Sequence, residues 1–288
     1  MWVAATLIAA LAQTGRNAAQ AGLSARLGTI GATGVRFLFG LPFALLFLAL
    51  VSLWQPLPAI PPRALAWTAV GAAAQIGATA LMLSAMQLRG FAVATALVKT
   101  EPVTLALMGA LVLDERLGLQ RMGAILVATL GVLALSGTRW RRAGMLPLAI
   151  AVSAGALFGL SALGFRGAVL SLDTGGYVVR ATIILALSLA LQTAMVGGWL
   201  ALTNRAALRG MAQAWPESLA AGFLGALASQ FWFIGFALAP AADVRTLALV
   251  EVIFAAAVSR RRREAMGRRE IAGMVLILVG VAWLLRAA

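Results

Sequence analysis

The amino-acid sequence predicts an all-α membrane protein with ten transmembrane helices, arranged as two inverted repeats of five helices each. Two observations lead to this prediction. First, 62% of the 288 residues are hydrophobic and only 11% are charged, which is more apolar surface than a water-soluble fold of this size can bury. Second, the pattern around Glu101 returns around Glu251, 150 positions later.

The first five predicted helices are apolar runs of about 20 residues, long enough to cross a hydrocarbon core about 30 Å thick. They do not show the alternation of polar and apolar residues that is typical of membrane strands. The first run has no basic segment before it and no small-residue cleavage site after it, so we expect a retained helix rather than a signal peptide. The five helices cover residues 2–21, 30–53, 64–86, 91–113 and 119–137.

The second five predicted helices follow a break marked by Arg139, Arg141 and Arg142, and they cover residues 145–165, 175–200, 216–238, 241–259 and 271–285. Arg36, early in the second helix, has its counterpart in Arg180, early in the seventh. Because each half has an odd number of helices, the two halves must cross the membrane in opposite orientations. We therefore predict two repeats, residues 1–138 and 144–288.

The composition excludes several kinds of chemistry. Cysteine and histidine are both absent, which removes thiol chemistry, zinc sites of the usual type and imidazole acid–base catalysis. We therefore predict no enzyme activity, no metal site and no cofactor. The formal charge of +14 comes from arginines in short loops between apolar runs, so membrane lipid is a better partner for them than nucleic acid.

The arginines also predict an orientation. Loops after odd-numbered helices carry thirteen arginines and the other loops carry five. Since the arginine-rich side of a membrane protein faces the cytoplasm, this bias predicts that both termini lie outside.

Lys99 and Glu101 lie inside the fourth predicted helix, where a charge requires a partner or a function. Two residues apart, they point about 200° apart on an intact helix, but Pro102 favours a local break that would let both reach the centre. We expect Glu101 to bind a cationic group of a substrate or a coupling proton, and Lys99 to bind a carboxylate. The alternative is that each pairs with an opposite charge on another helix and stabilises packing.

The remaining charges in predicted helices leave the same alternatives open. Glu251 either binds substrate or protons, or stabilises packing through an ion pair. Asp243 and Arg245, near the start of the ninth helix, are interpreted as a salt bridge or gate near the mouth of the pathway. Arg36 either faces a cavity or extends its long side chain to the headgroups.

Uncharged polar residues complete the predicted site, which would lie between helices 1, 3, 4, 8 and 9. Gln75 and Gln230 occupy related places in helices 3 and 8, and Trp232 either covers an apolar part of a substrate or only packs against neighbours. One face of the first helix is polar, at spacings of three, four and seven: Gln13, Arg16, Asn17 and Gln20.

These features resemble the drug/metabolite transporter superfamily and, within it, the EamA-type transporters with ten helices. The resemblance covers nearly the whole chain. It is carried by Arg36 and by the acidic hairpin Asp114-Glu115-Arg116-Leu117-Gly118, which returns as Glu264-Ala265-Met266-Gly267. Each copy precedes a glycine-containing helix: Gly123 and Gly131 in the first, Gly273 and Gly280 in the second. The resemblance implies export or exchange of small metabolites by alternating access without ATP hydrolysis. It also implies cytoplasmic termini, opposite to the arginine count.

From the residues and the resemblance together we predict a secondary transporter in the bacterial inner (plasma) membrane, with a small polar metabolite such as an amino acid as substrate. A proton is the expected coupling ion, and the chain is expected to act as a monomer or homodimer. One alternative is a translocase for lipids or lipid-linked sugars, since arginine-rich loops would contact anionic headgroups. A membrane-embedded enzyme is disfavoured, because the predicted helices contain no nucleophile–base pair or paired aspartates.

Overall fold

The computed structural model describes residues 1–89, 97–115, 118–135, 144–251 and 268–287. These ranges contain eleven α-helices and no β-strand, so the all-α prediction is confirmed for them. In chain order the helices are α1 (Trp2–Leu38), α2 (Leu41–Ser52), α3 (Pro62–Arg89), α4 (Glu101–Val112), α5 (Leu119–Leu135), α6 (Met145–Leu170), α7 (Tyr177–Thr203), α8 (Arg205–Gln213), α9 (Trp215–Leu238), α10 (Ala241–Leu247) and α11 (Arg268–Ala287).

Five segments of the described chain are long and apolar enough to cross a membrane: Ile30–Ser52, Pro62–Leu88, Met145–Leu170, Tyr177–Thr203 and Trp215–Leu238. They match the second, third, sixth, seventh and eighth predicted helices. Shorter apolar helices lie within the fourth, fifth and tenth: Glu101–Val112, Leu119–Ala134 and Ile271–Ala287. Residues 90–96 and 252–259, in the fourth and ninth predicted helices, lie outside the described residues, and the full count of ten inverted helices stays a prediction.

A glycine separates the first two predicted helices. Both lie in α1, but Gly28 has φ 71° and ψ 173° and divides α1 into two helical parts. Such dihedral angles are essentially restricted to glycine, because a Cβ atom would be strained there. Gln20, before this glycine, donates a 2.9 Å hydrogen bond to the carbonyl oxygen of Ala32 after it, which holds the two parts of α1 together.

We expect Gly28→Ala to lower the free energy of unfolding by about 1–3 kcal/mol, because alanine does not tolerate these dihedral angles. Thermal unfolding of the purified protein in detergent measures the effect. Gly22→Ala is the matched control, since Gly22 lies in the same helix with nothing within 4 Å of an added Cβ. A melting temperature for Gly28→Ala equal to that of Gly22→Ala would contradict the expectation.

The chain divides into two compact units, and each contains segments from both predicted repeats. Unit 1 comprises Met1–Ala80 and Ser161–Leu238, and unit 2 comprises Leu81–Leu160 and Ala239–Ala288. The proposed repeat boundaries at 138 and 144 are therefore not the boundaries of the compact units, and whether the repeats are inverted copies stays a prediction. In unit 1, α1 packs along α9 and α2 packs against α7.

In unit 2, α5 packs against α11 through glycines that leave no room for a side chain. A Cβ added at Gly131 would lie 2.6 Å from the backbone nitrogen of Ile277, and one added at Gly280 would lie 2.5 Å from the backbone nitrogen of Ala128. The second contact repeats the first at an offset of 149 residues, with the two helices exchanged. The packing of α5 on α11 therefore has the reciprocity of a two-fold arrangement, and the glycines of the sequence resemblance produce it.

Candidate functional site

The fourth predicted helix is broken directly before the first repeated glutamate. Leu97 and Val98 are helical, Lys99 and Thr100 form a turn, and α4 begins at Glu101. The Thr100 N–H donates to the Leu97 carbonyl over three residues instead of four, at 3.3 Å. Pro102 explains the break, because proline has no N–H to continue the helical pattern. The local break predicted beside Pro102 is thus present.

A second break precedes the other glutamate, without any proline. After α10 ends at Leu247, Ala248 and Leu249 form a turn and the chain is helical again at Glu251. The Glu251 N–H donates to the Ala248 carbonyl at 3.0 Å, again over three residues. The amino-acid sequence carries no turn residue here, so the break could only be found in the structure.

The two broken segments are joined by crossed ion pairs. The ammonium group of Lys99, before the first break, pairs with the carboxylate of Glu251, after the second. Arg245, before the second break, donates from Nε to Oε1 of Glu101, after the first, at 2.6 Å. All four side chains are at most 11% exposed. The structure therefore shows ion pairing for Glu101, Lys99 and Glu251, which is the packing alternative that the sequence left open.

A third ion pair in unit 2 involves the predicted gate residue Asp243. Asp243 is 1% exposed and lies 3.5 Å from Arg121, measured from Oδ2 to Nη1. Arg121 also donates from Nε to the carbonyl oxygen of Ala287 at 3.1 Å. Asp243 and Arg245 thus both form salt bridges, as predicted, but with partners on other helices. Arg121 was missed because it was counted as a loop arginine, although it lies inside the first turn of α5.

Two buried arginines mark the polar part of unit 1. Arg36 and Arg16 are each 3% exposed, and their methylene groups approach the same point: a Cβ at Gly225 would lie 3.4 Å from Arg16 Cδ and 3.5 Å from Arg36 Cγ. Arg36 donates to the Thr79 hydroxyl at 3.4 Å, and Arg16 donates to Oδ1 of Asn17 at 2.8 Å. Burial this deep excludes simple extension of Arg36 to the headgroups.

Arg180, the repeat counterpart of Arg36, has a different environment. It is only partly buried, and its Nη1 donates to the carbonyl oxygen of Leu172, just after α6, at 3.5 Å. A cation at a helix C-terminus stabilises the exposed carbonyls there. The two copies have therefore diverged at this position.

Three glutamines in unit 1 bind side chains on neighbouring helices. Gln75 Oε1 accepts from Gln192 Nε2 at 2.8 Å, and Gln230 Nε2 donates to the Thr182 hydroxyl at 2.9 Å. Oε1 of Gln230 and Oε1 of Gln192 are buried and have no hydrogen-bond partner among the described residues. Buried carbonyl oxygens of this kind are normally satisfied by another group or by water. Gln192 and Thr182 were missed, since neither stands out in an apolar helix.

Trp232 links the polar face of α1 to an aromatic cluster. Its indole Nε1 donates to Oε1 of Gln13 at 3.1 Å, and its ring stacks on Phe236 with centroids 6.4 Å apart. Trp232 is 4% exposed, so its packing role is present in this structure, and a role in covering a substrate stays a prediction.

The predicted site residues thus fall into two sets, one in each unit. Unit 2 contains the crossed pairs and Asp243, while unit 1 contains the buried arginines, the glutamines and Trp232. Among the described residues, no group of three or more His, Cys, Asp or Glu side chains could hold a metal ion.

Comparison with known proteins identifies the family. None of the curated proteins matches this chain. One solved crystal structure is similar over 99% of this chain and 97% of its own, with a TM-score of 0.72 and 18% sequence identity, which shows a shared fold. Residues 1–137 match the EamA-like transporter family, as the sequence resemblance predicts. The first half of this chain therefore belongs to the EamA-like transporter family, a family of membrane transporters of small solutes.

Proposed function

We propose that this protein is a secondary transporter that exports or exchanges a small polar metabolite, an amino acid or a related compound, by alternating access. The observation that carries the proposal is the pair of crossed ion pairs beside two helix breaks. Broken helices at the centre of the membrane are where transporters with repeated halves bind substrates and coupling ions.

Buried ion pairs are a poor means of stabilising a fold. Replacing such a pair with apolar residues of similar size is often neutral or stabilising, because desolvating two charges costs several kcal/mol per ion. In hydrocarbon a charge is costly as well. Four charges kept at the two breaks therefore favour a role beyond packing, and the simplest is exchange of partners during transport.

Exchange of partners also favours a particular substrate chemistry. A zwitterion could separate Glu101 from Arg245, with its ammonium group on the glutamate and its carboxylate on the arginine. The number of charges in the low-dielectric interior would then stay balanced, which avoids an uncompensated buried charge. A proton on Glu101 would release Arg245 in the same way, and we assign proton coupling to this carboxylate.

We assign recognition of the rest of the substrate to unit 1. Because Lys99 is held by Glu251, Arg36 is the better group for a carboxylate, and its neighbours at Gly225 and Thr79 leave it among neutral groups. The amides and the indole offer hydrogen bonds and an apolar surface: Gln13, Asn17, Gln75, Gln230 and Trp232.

The crossed contacts also support the inverted repeat. Both the ion pairs and the glycine contacts of α5 and α11 relate positions 149 or 150 residues apart, with partners exchanged. We propose ten transmembrane helices in the bacterial inner membrane with both termini outside. A reporter fused after Ala288 that is active only in the cytoplasm would overturn this orientation.

Transport in proteoliposomes tests the function. A thermal-stability screen against a metabolite library first selects a ligand, since binding to the folded form raises the melting temperature. We expect zwitterions to score. If they fail and anionic lipids succeed, the alternative of a lipid translocase replaces this proposal.

Glu101→Gln is then expected to slow uptake of the selected substrate by about tenfold or more, a barrier increase of about 1.4 kcal/mol, and to remove the dependence of uptake on pH. The glutamine keeps the shape of the side chain but cannot release a proton. Glu217→Gln is the control, because Glu217 is an exposed carboxylate paired with Arg26 in unit 1. An unchanged pH dependence in Glu101→Gln would show that the proton role is wrong.

A further inference from the structure

The short helix α8 lies at a membrane surface. It connects α7 and α9, which are both long and apolar enough to cross the membrane, and only Asn204 and Ala214 separate it from them. Trp199, near the end of α7, is 46% exposed, and Trp215, at the start of α9, is 59% exposed. Tryptophan at the ends of membrane helices is typical of the level of the headgroups.

One face of α8 packs on unit 1. Ala207 and Met211 are buried, and they lie against glycines of α1: a Cβ at Gly31 would meet Ala207 at 3.7 Å, and one at Gly34 would meet Met211 Cε at 2.9 Å. The helix begins with a side-chain cap, because the Ala207 N–H donates to Oδ1 of Asn204 at 3.1 Å. Helix α8 is therefore held rigidly over the part of α1 that follows Gly28.

The opposite face of α8 is exposed and basic. Arg205 and Arg209 are exposed and stand four residues apart, so they are neighbours on the helix surface and repel each other. The helix contains no acidic residue. Arg205 donates from Nε to the carbonyl oxygen of Ala201 at 2.8 Å, which fixes the guanidinium at the end of α7. An external anion between the two arginines would relieve their repulsion.

We propose that this face of α8 binds the phosphate groups of anionic phospholipids. The helix has the properties of an interfacial amphipathic helix, with an anchored inner face, arginines on the outer face and exposed tryptophans at both flanks. An arginine near an anionic membrane surface is attracted to it, and bound lipid would stabilise unit 1 through the contacts of Ala207 and Met211 with α1.

The experiment compares the melting temperature of the full-length protein in phosphatidylcholine nanodiscs with that in nanodiscs containing phosphatidylglycerol. We expect phosphatidylglycerol to raise the melting temperature by about 2–4 °C. The double variant Arg205→Gln/Arg209→Gln should lose this gain, and Arg205→Lys/Arg209→Lys should keep most of it. Arg63→Gln, which removes an exposed arginine at the start of α3, should also keep it.

The gain between the two lipids is the readout, so a general loss of stability in the glutamine variant does not affect the conclusion. Three results would overturn the proposal. These are no gain in the unmodified protein, a full gain in the glutamine variant, or an equal gain from inorganic phosphate added to phosphatidylcholine discs.

Discussion

Lys99→Met is expected to lower the free energy of unfolding by about 3–5 kcal/mol, because it leaves the carboxylate of Glu251 buried without its partner. Glu251 is 6% exposed, so water cannot replace the lost ammonium group. The loss should appear as a large decrease in melting temperature and in the yield of monodisperse protein after purification.

Two further variants separate the charge from the volume of the side chain. Lys99→Met/Glu251→Leu should recover most of the stability, since removing both partners leaves no uncompensated charge. Arg26→Gln, which breaks the exposed pair with Glu217, should change the stability by less than about 1 kcal/mol. If Lys99→Met melted with Arg26→Gln, the buried pair would not contribute as we infer.

Gly280→Ala is expected to cause the second large effect. The new Cβ would lie 2.5 Å from the backbone nitrogen of Ala128 and 2.8 Å from the carbonyl oxygen of Ala124. These are backbone atoms that cannot rotate away, so α11 would have to move off α5. Overpacking of this kind costs about 1–3 kcal/mol, and Gly280→Leu should prevent folding. Thermal unfolding together with size-exclusion chromatography measures both variants.

Gly198→Ala in α7 is the matched control for Gly280→Ala. Nothing lies within 4 Å of a Cβ at Gly198, so alanine should stabilise the helix by about 1 kcal/mol through its higher helix propensity. The two substitutions are chemically identical and should have opposite signs. Equal melting temperatures would mean that α5 and α11 are not held at the separation described.

The sequence predicted the features that depend on local chemistry. Apolar runs located the long helices, and Pro102 located the first break, because a missing N–H acts within one turn of helix. The burial of Arg36 was less certain from the sequence, since a long side chain near a helix end can reach the surface or the interior.

What the sequence did not predict depends on contacts between distant segments. Lys99 could have met any acidic residue, and only the packing of the broken segments selects Glu251. The break at Ala248 has no turn residue to mark it. Gln192 looks like an isolated amide in an apolar helix until the fold brings Gln75 to it. Pairings of this kind are set by tertiary packing, which no local pattern contains.

The crossed pairs also have an electrical consequence. The charges of Lys99, Glu251, Glu101 and Arg245 sum to zero, so displacing the four side chains together along the membrane normal moves no net charge. A potential of 100 mV does about 2.3 kcal/mol of work on each elementary charge that crosses the membrane. The voltage dependence of transport should therefore count the charges of the substrate and the coupling ion, with no contribution from this part of the protein.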